Sequence, residues 1–297
     1  MTKIIVPATS ANMGPGFDSL GLAVNLYLTV TIVGPSSQWL VHHPFGPDVP
    51  SDEKNMIVLS ALTVDHDIEP QELLIESDIP LARGLGSSSS AIIAGLLLGN
   101  ELSSTVTLSS ETIFQRAAQI EGHPDNVAPA VFGGIVVAGP DPAKPKTFLH
   151  YQVQLPADYL PIVVIPDRQL ATSTSRDVLP NQTDRRQSVQ SSAQSNILVA
   201  SLFNNDWANT VHLLETDRFH EPYRLKLVPE LTEVRRIAHD LGLSGSYLSG
   251  AGTTVMTIVK KDQADRLLDQ LKKSEKLKGA QIAALSFDAK GARVIRD

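Results

Sequence analysis

The sequence predicts two α/β sandwiches lying side by side. Three observations lead there. Strand-like runs rich in β-branched residues alternate with helix-like segments, glycine-rich joints separate them, and 297 residues is the length of about two domains.

Ile4 to Val6 and Ala23 to Val33 are rich in β-branched residues, and LYLTVTIVG alternates well enough to read as a strand. Asn55 to Asp65 carries Met56, Leu59, Leu62 and Val64 at helical spacing. Glu72 to Ser77 reads as a short strand leading into PLARGLGSSSSA. A helix begins at Ser109, with Ser109 or Ser110 as N-cap and Gly122 just past its end. GGIVVAG and YLPIVVIP read as buried strands. In the second half, Arg185–Phe203, Asp206–Leu214 and Pro229–Leu241 read as helices, Pro229 as a first-turn proline. SYLS, TTVMTIVK, a polar-faced helix over Gln263–Lys273 and AQIAAL then give strand, strand, helix, strand. The softest boundary lies near Pro156 to Tyr159.

Composition excludes several classes of function. A net charge of −7 with no dense Lys/Arg run argues against a nucleic-acid partner. Cysteine is absent, which removes disulfides, thiolate metal sites and a cysteine nucleophile. The longest apolar run, Ala91 to Leu98, is far short of the roughly 20 residues that span a bilayer. The N-terminus lacks a signal-peptide apolar stretch, so a cytoplasmic protein without membrane partners is expected. No GxSxG elbow is present, against a serine hydrolase.

From Gly84 to Ser90 every residue but Leu85 is glycine or serine, and a nearly all-apolar run follows at once. A glycine loop running into a buried helix is an arrangement that binds phosphate, because loop and helix-start N–H groups converge on the anion. Serines at a helix start also serve as caps, which is the alternative reading. The loop lacks the lysine of a Walker A motif and the third glycine of a dinucleotide fingerprint. Three further stretches gather polar residues. PATSANMGPGFDSLG holds Asn12 and Asp18 among turn glycines. IEGHPDN crowds Glu121, His123, Asp125 and Asn126 between a helix and an apolar segment. Arg176 and Arg224 are candidates for binding a carboxylate, although a solvated surface arginine is the commoner case.

PLARGLGSSSSA resembles the PxxxGLGSSxA phosphate loop of the GHMP kinases. VPATSANMGPGFDSLGLAV and LSGAGTTV stand where that family has its other two motifs, so the resemblance covers essentially the whole chain. The N-terminal motif is most similar to the homoserine-phosphorylating branch. The resemblance implies an α+β, two-domain fold. Residues 1–157 would form an ATP-binding domain of the ribosomal-protein type, and residues 158–297 a ferredoxin-like sandwich. It implies an ATP-dependent kinase of L-homoserine that uses Mg²⁺ and forms a homodimer, with a mevalonate-type kinase as the alternative and a silent ligand sensor as a remoter one. By the same resemblance, Pro80, Leu81, Ala82, Arg83, Gly84, Leu85, Gly86, Ser87, Ser88, Ser89 and Ser90 hold the nucleotide phosphates, and Asn55 lies on the nucleotide side. Ser88 and Glu121 would bind the metal. Asn12, Asp18, His123, Arg176, Arg224 and Gly250 would line the acceptor site, Asp18 on the ammonium and the two arginines on the carboxylate. Asn126 would orient the acceptor hydroxyl, and Asp125 is the nearest candidate for a base. The family form has proline where this chain has Thr253.

Overall fold

The computed structural model describes residues 1–296. Its first sheet is built on β1 (Thr2–Ala11) and β2 (Leu20–Pro35), which pair antiparallel along nearly their whole length. β3 (Leu40–His42), α1 (Met56–Leu62), β4 (Gln71–Ser77), α2 (Ser87–Leu102), α3 (Ser110–Glu121), α4 (Val127–Phe132), β5 (Ile135–Pro140) and β6 (Phe148–Val153) follow in order. The other edge of β2 serves two neighbours: its start, Leu20 to Leu22, pairs β5, while Leu28 to Pro35 pairs β4. The β1–β2 register shifts between Pro7 and Ala8. Past that bulge, β1 delivers Thr9 to Asn12 to the site.

The expected helix over Asn55–Asp65 is realised as α1. Asn55 is its N-cap, its side chain accepting from Ile57 N. Ser109 caps α3 by accepting from Thr112 N, as the sequence suggested, and Gly122 ends that helix. α2 is buried on most of its circumference, so it reads as continuously apolar rather than striped. Its Gly95 lies against α1, where an added Cβ would sit 2.4 Å from the Ile57 carbonyl oxygen. That close approach explains a glycine that costs the helix about 1 kcal/mol relative to alanine.

The rest of the chain comprises β7 (Tyr159–Ile165), α5 (Thr172–Asp177), α6 (Arg185–Phe203), α7 (Trp207–Leu213), α8 (Glu221–Arg224), α9 (Glu230–Asp240), β8 (Ser246–Leu248), β9 (Val255–Lys260), α10 (Lys261–Lys273), β10 (Gln281–Ala284) and β11 (Arg293–Arg296). Pro229 stands one residue before α9, at its N-cap. The second sheet is antiparallel in the order β10-β7-β9-β8. β11 returns to the first sheet and pairs β1.

Strand alternation decides how the second sheet is covered. Ile162 and Val164 face a core shared with Val234, Ile237 and Leu267 of α9 and α10. Val163 and Ile165 point the other way, into the main core with Leu198, Leu202 and Trp207. Both faces are dry, and hence YLPIVVIP is apolar at nearly every position. The main core runs without a break from the first sheet to the inner face of the second. Among the described residues, no helix is long and apolar enough to cross a membrane.

Candidate active site

α2 has 16 residues, and its N-cap is Gly86, at φ +68°, with no side chain capping the helix. The four serines are helical residues rather than caps, which leaves the opening N–H groups to an outside anion. Gly86 is required twice over. Its φ is left-handed, and an added Cβ would lie 2.1 Å from Thr9 Oγ1. Ser87 and Ser88 face the cleft. Ser90 turns inward, donating to Gly86 O (2.9 Å) and Pro7 O (3.2 Å), and Ser89 is buried without a partner for its hydroxyl. Leu85 is buried, its carbonyl accepting from Thr9 N.

Two clefts meet at Ser87 and Ser88. One, of about 400 Å³, is apolar, with Leu28, Phe45, Ile75, Ile79 and Leu81 in its wall and Asn55 at its edge. The Asn55 amide is engaged in the fold, donating to Pro50 O and accepting from Ile57 N. The other cleft is narrow and polar, of about 100 Å³, and gathers Asn12, Asp18, Ala82, Gly84, Glu121, His123, Asp125, Asn126, Arg176, Arg224 and Gly250 around Ser87 and Ser88. Thus all the expected acceptor and metal residues converge. Pro80 and Arg83 lie off both linings. The Arg83 guanidinium turns toward the end of β7, donating to Pro166 O, Leu81 O and Asp167 Oδ1.

In the polar cleft, Asn12 (φ +75°) and Asp18 (φ +54°) bracket a tight loop. Asn12 Nδ2 donates to Gly250 O, and its Oδ1 accepts from Asp18 N. Arg176, on α5, forks onto Asp18 with Nη2–Oδ1 at 2.9 Å and Nη1–Oδ2 at 3.3 Å. Arg224 is 2% exposed. Its Nε donates to Ser175 O, and its Nη1 to Gly250 O and His220 Nδ1. These partners are all uncharged. Burial, and next the nearby charge of Arg176, pulls its pKa down to about 10, so it enters any complex as a cation. His220 is neutral, with burial pushing its pKa down to about 4. Its free Nδ1 accepts from Arg224, so Nε2–H points to Gly14 O at 3.3 Å. The Phe17 ring stacks on His220 at 5.1 Å and lies under both guanidiniums, at 5.9 Å from Arg176 and 5.6 Å from Arg224.

Between the two sides, Ser88 Oγ donates to Glu121 Oε2 at 3.2 Å. Asp125 Oδ1 meets His123 Nδ1 at 2.7 Å and the Asn126 backbone N at 2.8 Å. Burial alone would lower the His123 pKa, but the hydrogen bond and charge of Asp125 outweigh it and raise the value. Asn126 Oδ1 accepts from Thr9 Oγ1 at 2.8 Å. The Gly252–Thr253 peptide is cis, and Thr253 Oγ1, where the family form has proline, donates to Arg168 O. Thr9, Phe17 and His220 were not singled out from the sequence. The contacts that bring them to the site, Thr9 to Asn126, Phe17 to His220 and His220 to Gly14, span more than a hundred residues of chain, so no local pattern marks them.

Residues 55–134 match the family model described as "GHMP kinases N terminal domain", and residues 198–277 that described as "GHMP kinases C terminal". The chain is 49% identical to the homoserine kinase of Lactiplantibacillus plantarum, over 99% of both sequences. The chain belongs to the homoserine kinase family of the GHMP kinases. It is also 44% identical to the homoserine kinase of Lactococcus lactis subsp. cremoris, over 98% of each. The crystal structure of homoserine kinase from Cytophaga hutchinsonii superposes with a TM-score of 0.85 at 27% identity, covering 99% of this chain and 97% of that one. The expected family and its mixed α+β fold are therefore borne out.

Proposed function

We propose that this chain transfers the terminal phosphoryl group of ATP to the side-chain hydroxyl of L-homoserine, giving O-phospho-L-homoserine for threonine synthesis. The observation that carries the reading is Arg224, a buried cation whose hydrogen-bond partners are all neutral, beside the exchangeable Asp18–Arg176 pair. A zwitterionic amino acid answers all three charges. Its carboxylate takes the two guanidiniums and its ammonium takes Asp18. An acceptor with a carboxylate and no ammonium, as in mevalonate-type kinases, leaves Asp18 without that partner.

The apolar cleft receives the adenine, and the N–H groups at the start of α2 receive the phosphates. Mg²⁺ fits the donor set. Ser88 Oγ and Glu121 Oε2 are hard oxygen donors side by side, and one carboxylate with one hydroxyl is the sparse protein share this ion takes when phosphates and water complete its shell. Bound there, it supplies charge neutralisation on the phosphate oxygens. The protein's own part is alignment, which is worth about 7–11 kcal/mol in well-oriented reactions. Full deprotonation of a primary alcohol by an ordinary carboxylate crosses roughly 12 pKa units, about 16 kcal/mol. No base removes the proton in advance; Asn126 orients the hydroxyl, and as its oxygen bonds to phosphorus the bond to the ADP oxygen breaks and the proton passes to an oxygen of the transferred phosphoryl group or to water. Asp125 is occupied by His123 and Asn126, which suits it to holding those two groups. We take residues 1–157 as the lobe that holds ATP, completed by β11 from the far end of the chain, and the rest of 158–297 as the lobe that brings Arg176, Arg224 and Gly250. We further propose a cytoplasmic homodimer, to be checked by light scattering.

The test is ADP release with Mg·ATP against L-homoserine, D-homoserine, mevalonate and galactose. Turnover of L-homoserine alone is expected. Turnover of mevalonate without L-homoserine would overturn the acceptor assignment and keep the kinase. Silence with every acceptor, beside tight ATP binding, would favour a sensor.

A further inference from the structure

β1 ends inside the site, and its last residues each brace a different segment. Ser10 Oγ shares hydrogen bonds with Tyr247 and Ser249. Ala11 O accepts from Gly250 N. Thr9 does more: its backbone N–H donates to Leu85 O in the phosphate loop, while its hydroxyl donates to Asn126 Oδ1 at 2.8 Å. It is fully buried. Gly86, the first point of the phosphate cradle, lies directly over that hydroxyl. One residue therefore spaces the donor loop from the amide that meets the acceptor.

We infer that Thr9 is a positioning residue for phosphoryl transfer: its hydroxyl fixes the orientation of the Asn126 side-chain amide, so that Nδ2 rather than Oδ1 is presented to the acceptor hydroxyl. An amide can flip end for end at little steric cost, and only its hydrogen bonds choose between the two arrangements. Here two contacts agree. Oδ1 takes the Thr9 proton, and Nδ2 leans on Asp125 Oδ1 at 3.4 Å. A carboxylate accepts but does not donate, so a flipped amide would face Asp125 with oxygen against oxygen. The remaining Nδ2–H can donate to the acceptor oxygen, which leaves a lone pair for phosphorus and turns the hydroxyl proton away. This inference rests on the role proposed for Asn126.

Thr9→Val keeps the shape and removes the hydroxyl, and Thr9→Ser keeps the hydroxyl. With L-homoserine, kcat in Thr9→Val is expected to fall about 30- to 100-fold, the scale of a misplacement of about 1 Å, with KM for ATP within about 2-fold. Thr9→Ser should recover most of the rate. Thr9→Ala takes the place of the valine should that variant not fold. Wild-type kcat in the hydroxyl-free variant, or equal losses in it and in Thr9→Ser, overturns the inference. Asn126→Ala distinguishes the two layers. If it leaves kcat unchanged, the assigned role of Asn126 fails and the inference fails with it. If Asn126→Ala is slow and Thr9→Val slows it further by the full factor, Thr9 acts elsewhere and only the inference fails. No additional loss in the double variant supports it.

Discussion

The donor and acceptor sides of the cleft are built in opposite ways. The proposed phosphate cradle is one contiguous stretch, Gly84 to Ser90, and offers mainly backbone N–H groups left open behind Gly86. The proposed acceptor side is assembled from the Asn12–Asp18 loop, the turn after α3, α5, α8 and the Gly250 turn, and presents charged side chains. A backbone cradle suits a ligand shared by many enzymes, while an assembled charge pattern suits one acceptor. The division lets acceptor choice change without disturbing the nucleotide side.

The sharpest way to break this contrast is Gly86→Ala. The new Cβ collides with Thr9 Oγ1, and displacing the loop N–H groups should lower kcat by roughly 10²–10³-fold, the scale of losing one preorganised donor. Steady-state kinetics checks it, and a cost confined to acceptor KM would refute the backbone account. Next comes Arg224→Met. Losing a charge-assisted contact of about 1.5–3 kcal/mol should raise acceptor KM some 10- to 100-fold. ATP affinity, read by titration calorimetry, should stay as it is.

A smaller effect separates the sides by pH. His220 has its folded pKa depressed to about 4 by burial. The unfolded chain therefore takes up the proton first as pH falls below the ordinary 6.5, and stability is lost across the window from 6.5 to about 4. Thermal melts should decline more steeply with acid in the wild type than in His220→Gln; parallel curves would show that another group governs the loss. Smallest is Arg83→Gln. Its guanidinium is spent on Pro166, Leu81 and an exposed Asp167 carboxylate, so KM for ATP should move by less than about 2-fold and stability by about 1 kcal/mol. A large rise in that KM would return Arg83 to the phosphates.

The same contrast governs what could be read in the sequence. The cradle was legible because its signal is local: small residues, then a buried helix. Arg224 was legible only through family likeness, since nothing in DRFHEPYRLKL distinguishes a buried arginine from a solvated one until Ser175, His220 and Gly250 surround it. Among the elements, β7 and β9 were plain because both faces of their sheet are covered. β6 and β11 escaped because each is short, interrupted by polar residues and buried at one position or none. α5 and α8, which bear Arg176 and Arg224, have six and four residues and are too short for any periodicity.

The unbroken main core has a consequence for how substrate enters. Val163, Ile165, Met256 and Ile258 of the second sheet are buried in the same core as the first. Swinging the sheets apart like jaws would wet apolar surface at about 25 cal/mol per Å², so they travel as one block. The strip between β7 and α6 is another matter: from Asp167 to Asp184 the one buried residue is Ser175. That strip carries Arg176, and breathing of this kind belongs to segments with little buried surface to lose. Any opening of the site is thus expected to be a local affair of this short polar strap rather than a parting of two domains.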